Sequence, residues 1–231
     1  MTYHYIKKAR FLYRPNRFIA HCELEGKEVV SHVRNTGRCR ELLIPGVTVY
    51  LEASMDQKRK TGYSLITVEK GNRLVNMDST APNRVMKEAL ESGQCHLPGL
   101  GKLTLVKPEA RYADSRFDFY LEAGEQKAYV EVKGVTLEEE GVALFPDAPT
   151  ERGIRHMEEL IKARNEGFGA YLVFIVQMKG VSFFSPHTRM HPQFGAVLKK
   201  AHEHGVHILC YDCEVTEDSL TFGDPVPVVL D

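Results

Sequence analysis

The 231-residue chain has no apolar run close to the length of a membrane-spanning helix, which is about 20 residues. It also has no P-loop and no glycine fingerprint of a dinucleotide-binding domain, so neither of those nucleotide-binding folds is indicated. The first thirteen residues mix basic and aromatic side chains without a secretory apolar segment, and the five cysteines are therefore expected to be reduced thiols. Together these absences predict a cytoplasmic protein that does not bind membranes.

A net charge of −1 hides an uneven distribution of charged residues in a chain long enough for one large or two small domains. Residues 1–81 contain 14 Lys and Arg against 8 Asp and Glu, whereas residues 82–231 contain 16 against 23. The basic part is the candidate for contacts with the backbone phosphates of a nucleic acid. The alternative is that this positive surplus spreads evenly over a small domain and serves no ligand.

The basic part consists largely of short segments in which apolar and polar residues alternate, as they do in half-buried strands. These segments lie around residues 18–24, 28–33, 47–52, 63–68 and 73–77. Five short strands separated by glycine turns predict a small barrel. Barrels of this kind bind single-stranded nucleic acid through a basic groove and aromatic stacking.

Several side chains of the basic part are candidates for phosphate contacts. Arg14, Arg17 and Arg38 supply positive charge. Asn35 and Thr36 belong to a segment that can present backbone N–H groups and a hydroxyl to one phosphate. The alternative is that Asn-Thr-Gly forms an ordinary turn with no ligand, and the residues alone leave both interpretations open.

The acidic part contains an Asp on one predicted strand and a Glu-x-Lys on the next. Side chains alternate along a strand, so Glu131 and Lys133 share one face about 6.6 Å apart while Val132 points into packing. Asp118 lies in a similarly alternating segment, and Gly124 offers a turn that pairs the two strands as a hairpin. This pairing would bring Asp118 close to Glu131.

Two carboxylates and an ammonium group on a half-buried surface are costly unless another charge compensates them. Mg²⁺ or Mn²⁺ would do so, because both prefer oxygen ligands and share the phosphate of a substrate. In this hypothesis Asp118 and Glu131 hold the metal, and an activated water attacks phosphorus while Lys133 orients it or offsets developing charge. The alternative is an exposed charge pair on the face of a strand, which is the commoner origin of an isolated Glu-x-Lys.

Helix caps and apolar periodicity give the order of the other elements. These are a helix from Pro82, a helix from the N-cap Asp147 to Gly167, a strand over 170–176, a helix over 192–204 and a strand over 206–211. Arg152 and His156 lie one turn apart on the second helix. We predict that Arg152 contacts DNA and that His156 supports the site. From residue 82 the order is helix, three strands, helix, strand, helix, strand.

This order, with Asp118 and Glu131-x-Lys133 on the second and third strands, resembles the core of the PD-(D/E)xK nuclease superfamily. The resemblance implies a divalent-metal site, with Mg²⁺ or Mn²⁺ as the cofactor. It also implies a further acidic metal ligand from the first helix, for which Glu88 is the matching position. A supporting polar residue is implied after the fourth strand, and Gln177 stands at that place.

A second resemblance extends over nearly the whole chain. It rests on five segments in this order: RPNRF from Arg14, HVRNTGR from His32, LIPG from Leu43, FPDAPTERG from Phe145 and RHMEEL from Arg155. These segments are similar to the signatures of the sugar fermentation stimulation protein A family. The resemblance implies a bacterial or archaeal cytoplasmic protein that binds DNA without strong sequence preference and is linked in name to the regulation of maltose and related sugar metabolism. It further implies an N-terminal OB-like barrel joined to the nuclease-like domain.

The combined expectation is an α/β protein, α+β overall, with an OB-like barrel in residues 1–81 and a PD-(D/E)xK-like domain in residues 82–231, whose mixed sheet is flanked by helices. Its expected function is largely sequence-nonspecific DNA binding with a divalent-metal-dependent phosphodiesterase site. The first alternative is a non-catalytic DNA-binding regulator of sugar-metabolism genes that retains the nuclease fold. An enzyme of small phosphorylated sugars is the weakest alternative, because a phosphate-binding glycine loop is missing. The residues leave open whether the DNA is single- or double-stranded and whether the chain forms a homo-oligomer.

Overall fold

The computed structural model describes residues 1–35, 37–56, 59–113 and 115–230. The strands of its first third are β1 (Ile6–Asn16), β2 (Ile19–Leu24), β3 (Lys27–Val33), β4 (Thr48–Ala53), β5 (Tyr63–Lys70) and β6 (Arg73–Asn76). The five strands predicted from alternation correspond to β2 to β6, whereas the sequence pattern does not predict β1. Irregular pairing of β1 with β2 after Phe11 and after Tyr13 interrupts the alternation that would have identified it.

Strand pairing closes the first five strands into a barrel. The strands are ordered β3-β2-β1-β4-β5-β6, and a parallel pairing between β3 and β5 joins the two sides. The short strand β6 extends the sheet from β5. Apolar side chains that include Phe11, Val33, Leu51 and Leu65 are buried in this part of the core. The prediction of a small barrel is confirmed.

The rest of the chain forms helices and strands around a larger sheet. Its described elements are α1 (Ala81–Ser92), β7 (Leu105–Tyr112), β8 (Ser115–Ala123), β9 (Gln126–Val135), β10 (Leu137–Glu139), β11 (Val142–Phe145), α2 (Glu151–Asn165), β12 (Gly169–Val176), β13 (Phe183–Pro186), α3 (Pro192–Glu203), β14 (His207–Val215) and β15 (Leu220–Pro225). The large sheet has the order β15-β14-β12-β9-β8-β7, and β10, β11 and β13 form a small second sheet. Strands β9, β12 and β14 run parallel and their outer neighbours antiparallel, which confirms the predicted mixed sheet.

Helices cover both faces of the large sheet. On one face, Val85 and Leu90 of α1 pack in a cluster with Val130 of β9. On the other face, Met157 of α2 packs in the cluster that contains Leu172 of β12. This arrangement sandwiches the central strands between two apolar layers, so any charged group on them is desolvated. None of the helices in the described ranges is both long and apolar enough to span a membrane.

Helix α2 begins later than the predicted Asp147 cap. Its N-cap is Thr150, whose side-chain oxygen accepts a hydrogen bond from the N–H of Gly153 at 3.1 Å. A capping side chain must lie two or three residues before the N–H that it binds, and Thr150 satisfies this spacing. Asp147 instead lies against Gly37 of the barrel, where a methyl group would overlap its carboxylate.

Polar groups tie the barrel to both sheets of the rest of the chain. Gln177, directly after β12, donates through Nε2 to the backbone and side-chain oxygens of Asn76 at 3.1 and 3.0 Å and to the carbonyl of Asp78 at 3.0 Å. On β5, the Nζ of Lys70 binds the Glu138 carboxylate at 2.5 Å. Gln177, Asn76, Asp78 and Glu138 are all buried, and buried hydrogen bonds of this kind specify one orientation between packed parts.

Candidate active site

The hairpin of β8 and β9 places Asp118 beside Glu131. The two strands pair up to Phe119 and Val130, and this register, continued by one residue, puts Asp118 opposite Glu131. At that point the N–H of Val132 donates to Oδ2 of Asp118 at 2.7 Å. The carboxylate therefore binds the backbone of the neighbouring strand, which fixes its position relative to Glu131.

Asn83, in the first turn of α1, contacts Asp118 from another side. Its Nδ2 donates to Oδ1 of Asp118 at 2.6 Å, so each carboxylate oxygen accepts one hydrogen bond. Burial and then the charge of Glu131 raise the pKa of Asp118, although these hydrogen bonds and Lys133 act in the opposite direction. A cation bound beside the carboxylate would favour its ionised form.

Glu131 is buried, with 3% of its surface exposed. Its Oε1 accepts hydrogen bonds from Nζ of Lys133 at 2.5 Å and from Nδ1 of His156. Burial alone would raise the pKa of Glu131, but the hydrogen bonds from His156 and the charge of Lys133 outweigh it, and the pKa lies below its ordinary value. Glu131 is therefore held as an anion.

The second oxygen of Glu131, Oε2, is buried and accepts no hydrogen bond from any residue in the described ranges. A buried anionic oxygen without a donor costs free energy, because it has lost its water and gained no partner. A positively charged ligand at Oε2 would remove this cost.

Helix α2 lies over Glu131 and brings His156 into contact with it. Arg152 lies one turn before His156 on the same helix. The Nε of Arg152 lies 3.4 Å from Nε2 of His156, and Nδ1 of the same ring forms a hydrogen bond with Oε1 of Glu131. The ring of Phe117 packs against the imidazole with a centroid distance of 6.3 Å. His156 thus orients Glu131, while the side chain of Arg152 is exposed at the surface.

Glu159 adds a further buried carboxylate to the same helix, one turn after His156. It is 9% exposed, and its Oε2 also accepts no hydrogen bond from a described residue. Even so, no three His, Cys, Asp or Glu residues within the described ranges are grouped closely enough to hold a metal ion. Asp118 and Glu131 remain the two carboxylates that converge, and both offer the hard oxygen ligands that Mg²⁺ and Mn²⁺ prefer.

Glu88, the position expected to supply a third metal ligand, does not lie at this site. Its carboxylate binds the N-terminal ammonium group of Met1 at 2.8 Å. Glu88 follows Asn83 by five residues, which is about 140° around the axis of an α-helix, so the two side chains leave α1 in different directions. The structure therefore removes Glu88 from the ligand set. The feature of the sequence that could have identified Asn83 as a site residue is its position in the first turn of α1, next to Pro82.

Gln177 is likewise separate from the carboxylates. The hydrogen bonds of its Nε2 all lie in the junction with the barrel. Its backbone N–H donates to the carbonyl of Val135 at 2.8 Å, and its side chain packs against Gly134, where a Cβ would not fit. Gln177 therefore supports the backbone that follows Lys133, and its Nε2 binds the junction with the barrel and not Asp118 or Glu131.

Arg14 is used by the barrel itself. Its guanidinium donates to four backbone carbonyls, those of Arg17 at 2.6 Å, Asn35 at 2.7 Å and Gly37 and Arg38 at 3.1 Å. These bonds hold the chain on both sides of position 36 in one conformation. Four carbonyl partners occupy both terminal nitrogens, so the expected phosphate contact of Arg14 gives way to a structural role.

The other barrel residues expected to contact DNA differ in whether their side chains are free to bind a phosphate. Arg17 and Arg38 are exposed, and neither forms an ion pair with a described residue. The side-chain oxygen of Asn35 accepts the N–H of Gly37 at 2.8 Å, which is the local turn that was the alternative interpretation of this segment. Thr36 lies outside the described residues.

Comparison with known proteins identifies the two parts of the chain. A family model described as the SfsA N-terminal OB domain matches residues 12–77. A second model, described as the sugar fermentation stimulation protein RE domain, matches residues 80–219. The barrel is thus an OB domain, as predicted.

Relatives are similar over the full length of the chain. The sugar fermentation stimulation protein homolog of Desulfitobacterium hafniense (strain DSM 10664 / DCB-2) is 57% identical over 230 residues, which cover 100% of this chain and 99% of the relative. The homolog of Clostridium beijerinckii is 51% identical, with 100% of both chains covered. A solved structure, described as Pyrococcus furiosus SfsA in complex with Ca²⁺, has a TM-score of 0.88 and 30% identity, and the match covers 99% of this chain and 98% of that one. The chain belongs to the sugar fermentation stimulation protein A family.

Proposed function

We propose that this protein binds nucleic acid and hydrolyses phosphodiester bonds with the help of a divalent cation held by Asp118 and Glu131. The observation that carries the proposal is the buried Oε2 of Glu131, which has no hydrogen-bond donor among the described residues. It belongs to a carboxylate that lies next to Asp118 and carries Lys133 on its other oxygen. An acidic pair with an adjacent ammonium group is suited to phosphoryl chemistry, in which negative charge develops on the phosphate.

The donor set fits a hard cation. Asp118 and Glu131 both offer carboxylate oxygens, and the lack of sulfur ligands at the site favours Mg²⁺ or Mn²⁺ over softer metals. The family member from Pyrococcus furiosus is described in complex with Ca²⁺, a cation that also prefers oxygen ligands, and this supports divalent-cation binding in the present chain. When bound, such a cation neutralises charge on the phosphate and makes a neighbouring water more acidic.

The remaining residues of the site act by position and charge. The Nζ of Lys133 lies on the same strand face as Glu131 and is 16% exposed, so it can contact a phosphate that approaches from solvent. His156 keeps Glu131 in one orientation by donating from Nδ1. The backbone N–H of Val132 and the amide of Asn83 do the same for Asp118. Groups held in this way need little reorganisation when the substrate binds.

Nucleic acid is the substrate that the surrounding surface favours. Arg152 is exposed next to His156, and Arg17 and Arg38 are exposed on the barrel. The contact between Asp147 and Gly37 brings the barrel segment that carries Arg38 against the segment that leads into α2. Exposed arginines on both sides of this contact can bind successive backbone phosphates.

The test compares the wild type with Asp118→Asn and Lys133→Ala on labelled single-stranded, duplex and branched DNA with Mg²⁺ or Mn²⁺. Each variant should lose cleavage by about 100-fold or more, because each removes a group that acts on the reacting phosphate. Glu125→Gln is the matched control, since it removes one exposed carboxylate from the turn of the same hairpin. Cleavage that survives in both site variants, or that is lost in Glu125→Gln, would remove the assignment.

A non-catalytic DNA-binding regulator is the second candidate. One observation favours it: Lys133 and His156 already compensate Glu131 from within the protein, so the site can fold without a cation. DNA binding by the wild type and by both site variants, without cleavage of any DNA form, would support this second function.

A further inference from the structure

The exposed aromatic side chains of the barrel region differ in what their rings contact. The ring of Tyr13 stacks on His21 with a centroid distance of 4.3 Å, and the ring of Tyr5 meets His4 edge-on at 6.5 Å. Phe18 is 54% exposed, and its ring contacts no other ring in the described part of the chain. Phe18 therefore presents an aromatic surface that the fold itself does not use.

The backbone of Phe18 is held in place on both sides of the residue. Phe18 lies in the turn between β1 and β2, where its N–H donates to Oδ1 of Asn16 at 2.9 Å. Its carbonyl accepts the N–H of Val33 on β3 at 2.8 Å, and the carbonyl of Arg17 accepts from Arg14 at 2.6 Å. A side chain on a fixed backbone loses little conformational freedom when a ligand binds to it.

Positive charge surrounds the turn that carries Phe18. The segments 14–18 and 34–40 contain five arginines and no acidic residue. The guanidinium of Arg14 joins the two segments by binding backbone carbonyls in both. Arg17 and Arg38 are exposed, and neither forms an ion pair with a described residue. An anionic group that approaches the ring therefore meets free guanidinium groups on either side of Arg14.

The same two segments are attached to the carboxylate site. Asp147, which leads into α2, lies against Gly37 of the second segment. Further along the same helix, His156 binds Glu131. The ring of Phe18 and the carboxylates are thus connected through one junction between the barrel and the α/β domain. A nucleic acid strand of several nucleotides can contact both.

A nucleobase is the ligand that these surroundings favour. Every base has a π-face that can stack on an aromatic ring, and the phosphates on its two sides can bind neighbouring arginines. Within an intact duplex both faces of each base are covered by the adjacent base pairs. Stacking on Phe18 therefore requires a base that is unpaired.

We infer that Phe18 is a stacking platform for an unpaired base, and that it favours single-stranded and branched DNA over intact duplex as the substrate of the carboxylate site. The inference rests on the proposed function, because it concerns the form of the nucleic acid that this site receives. Phe18 contributes to binding only where bases are unpaired, whereas Arg17 and Arg38 bind the phosphates of every form of DNA.

Fluorescence gives a direct test, because the chain contains no tryptophan and Phe18→Trp introduces a single indole. The full chain is titrated without divalent cations. The probes are a single-stranded oligonucleotide, an abasic oligonucleotide with the same number of phosphates, and a relaxed circular duplex. The single-stranded oligonucleotide should quench the indole about twofold or more, because a base stacks on it, and the other two should leave it nearly unchanged.

Leu105→Trp is the matched control for the fluorescence titration. Leu105 is 40% exposed on β7, the outermost strand of the large sheet, so an indole there should not be quenched by any of the three DNAs. Equal quenching of Phe18→Trp by the abasic and the single-stranded oligonucleotide would overturn the inference, because the abasic strand has no base to stack.

Substitutions at Phe18 separate stacking from charge. Phe18→Ala should weaken binding of the single-stranded oligonucleotide by about tenfold or more and leave the affinities for the abasic strand and the circular duplex within about twofold of the wild type. The slope of log affinity against log salt should not change, since no cation is removed. Phe18→Tyr should bind as the wild type does, and Phe18→Leu should resemble Phe18→Ala. Equal weakening for all three DNAs would assign Phe18 a structural role and overturn the inference.

Addition of Mn²⁺ distinguishes this inference from the proposed function. Selective weakening by Phe18→Ala without cleavage of any DNA supports the inference and removes the phosphodiesterase. Cleavage by a protein whose affinity for single-stranded DNA is insensitive to Phe18→Ala supports the phosphodiesterase and overturns the inference. If both hold, Phe18→Ala should cut single-stranded DNA about tenfold less efficiently and duplex DNA as the wild type does. If none of the three DNAs binds, both are overturned.

Discussion

The barrel and the α/β domain differ in how they use their charged side chains. The barrel region has the surplus of Lys and Arg, yet much of that charge is paired internally: Arg10 with Glu23 at 2.7 Å, Arg34 with Asp78 at 3.1 Å and Lys8 with Glu69 at 3.6 Å. The guanidinium of Arg14 is occupied by backbone carbonyls. The α/β domain has the acidic surplus, and there Glu131 and Glu159 each keep a buried oxygen without a described donor.

This contrast shows that the net charge of a domain does not tell how many of its charged side chains are free to bind a ligand. A surface charge that is already paired contributes little to the binding of another group. A buried charge without a partner, in contrast, is stabilised when a ligand of opposite charge binds. The barrel therefore offers a nucleic acid fewer free cations than its composition suggests, with Arg17 and Arg38 among those that remain. The α/β domain offers unpaired anionic oxygens, which favour a cation.

The largest expected effect is that of Arg14→Ala, which tests whether the guanidinium of Arg14 is used inside the barrel. It removes the donor of four backbone carbonyls, and we expect the free energy of unfolding to fall by about 2–4 kcal/mol, measured by urea denaturation. Arg14→Lys should recover little, because a single ammonium cannot reproduce the forked geometry of the guanidinium. A loss below about 0.5 kcal/mol would mean that Arg14 is free for a phosphate after all.

Gly37→Ala should have the next largest effect on stability. The added methyl group would overlap the carboxylate of Asp147, and forced overlap in packed protein costs about 1–3 kcal/mol. The second variant, Asp147→Ala, removes one of the two groups that the methyl would strike, the other being Oδ1 of Asn35, so the double variant should regain part of the loss in a thermal or urea unfolding experiment. Simple additivity of the two single changes would show that the barrel does not meet the α/β domain at this contact.

Glu138→Gln tests the ion pair between the two domains. Burial alone would raise the pKa of Glu138, but Lys70 and the N–H of Gly141 outweigh it, and the pKa lies below its ordinary value of 4.5. The folded state therefore binds the proton less readily than the unfolded state, so this carboxylate adds stability above about pH 4.5 and loses it as pH falls through the lower folded pKa.

We expect Glu138→Gln to lower the free energy of unfolding by about 1–2 kcal/mol at neutral pH, a moderate value because the side chain of Lys70 is 27% exposed and partly screened. The difference from the wild type should shrink as the pH falls below about 4.5 and through the lowered pKa of the folded state. Unfolding curves of both proteins at several pH values provide the measurement. A difference that is constant with pH would exclude the charge of Glu138 as its cause.

Arg17→Ala should have the smallest effect on stability, within about 0.5 kcal/mol, because the side chain is exposed and unpaired among described residues. It should weaken nucleic-acid binding for all sequences and reduce the slope of log affinity against log salt by about 1, as measured by fluorescence anisotropy. Arg10→Ala is the control, since its guanidinium already binds Glu23. Equal salt slopes for the wild type and Arg17→Ala would exclude this phosphate contact.

Local patterns in the chain predicted most of the fold. Alternation identified β2 to β6, and helix caps identified α1, α2 and α3 with errors of a few residues at the ends. The strands that escaped prediction are β1, β10, β11, β13 and β15, the last of which follows the final predicted strand over 206–211. β10 has three residues and β11 and β13 have four, too short for periodicity to be visible, and bulges interrupt β1.

The candidate site was predictable only in part. Glu131 and Lys133 share a strand face because of a periodicity of two, and the turn after Ala123 folds Asp118 back towards them. Asn83 could not be separated from Glu88 by spacing, because both lie on the same helix and only the packing of α1 decides which one faces Asp118. Resemblance to nucleases favoured an acidic residue, and the structure has an amide there.

By itself the sequence determined the classes of elements, the basic and acidic parts and the strand pair that carries Asp118, Glu131 and Lys133, because these depend on residues close together in the chain. Tertiary structure alone decided which charges are available. Arg14 turns to its own backbone, Glu88 turns to the N-terminus, and Glu131 keeps a buried oxygen under α2. Pairing and burial depend on distances between segments far apart in sequence, and the energy of a charge depends on both.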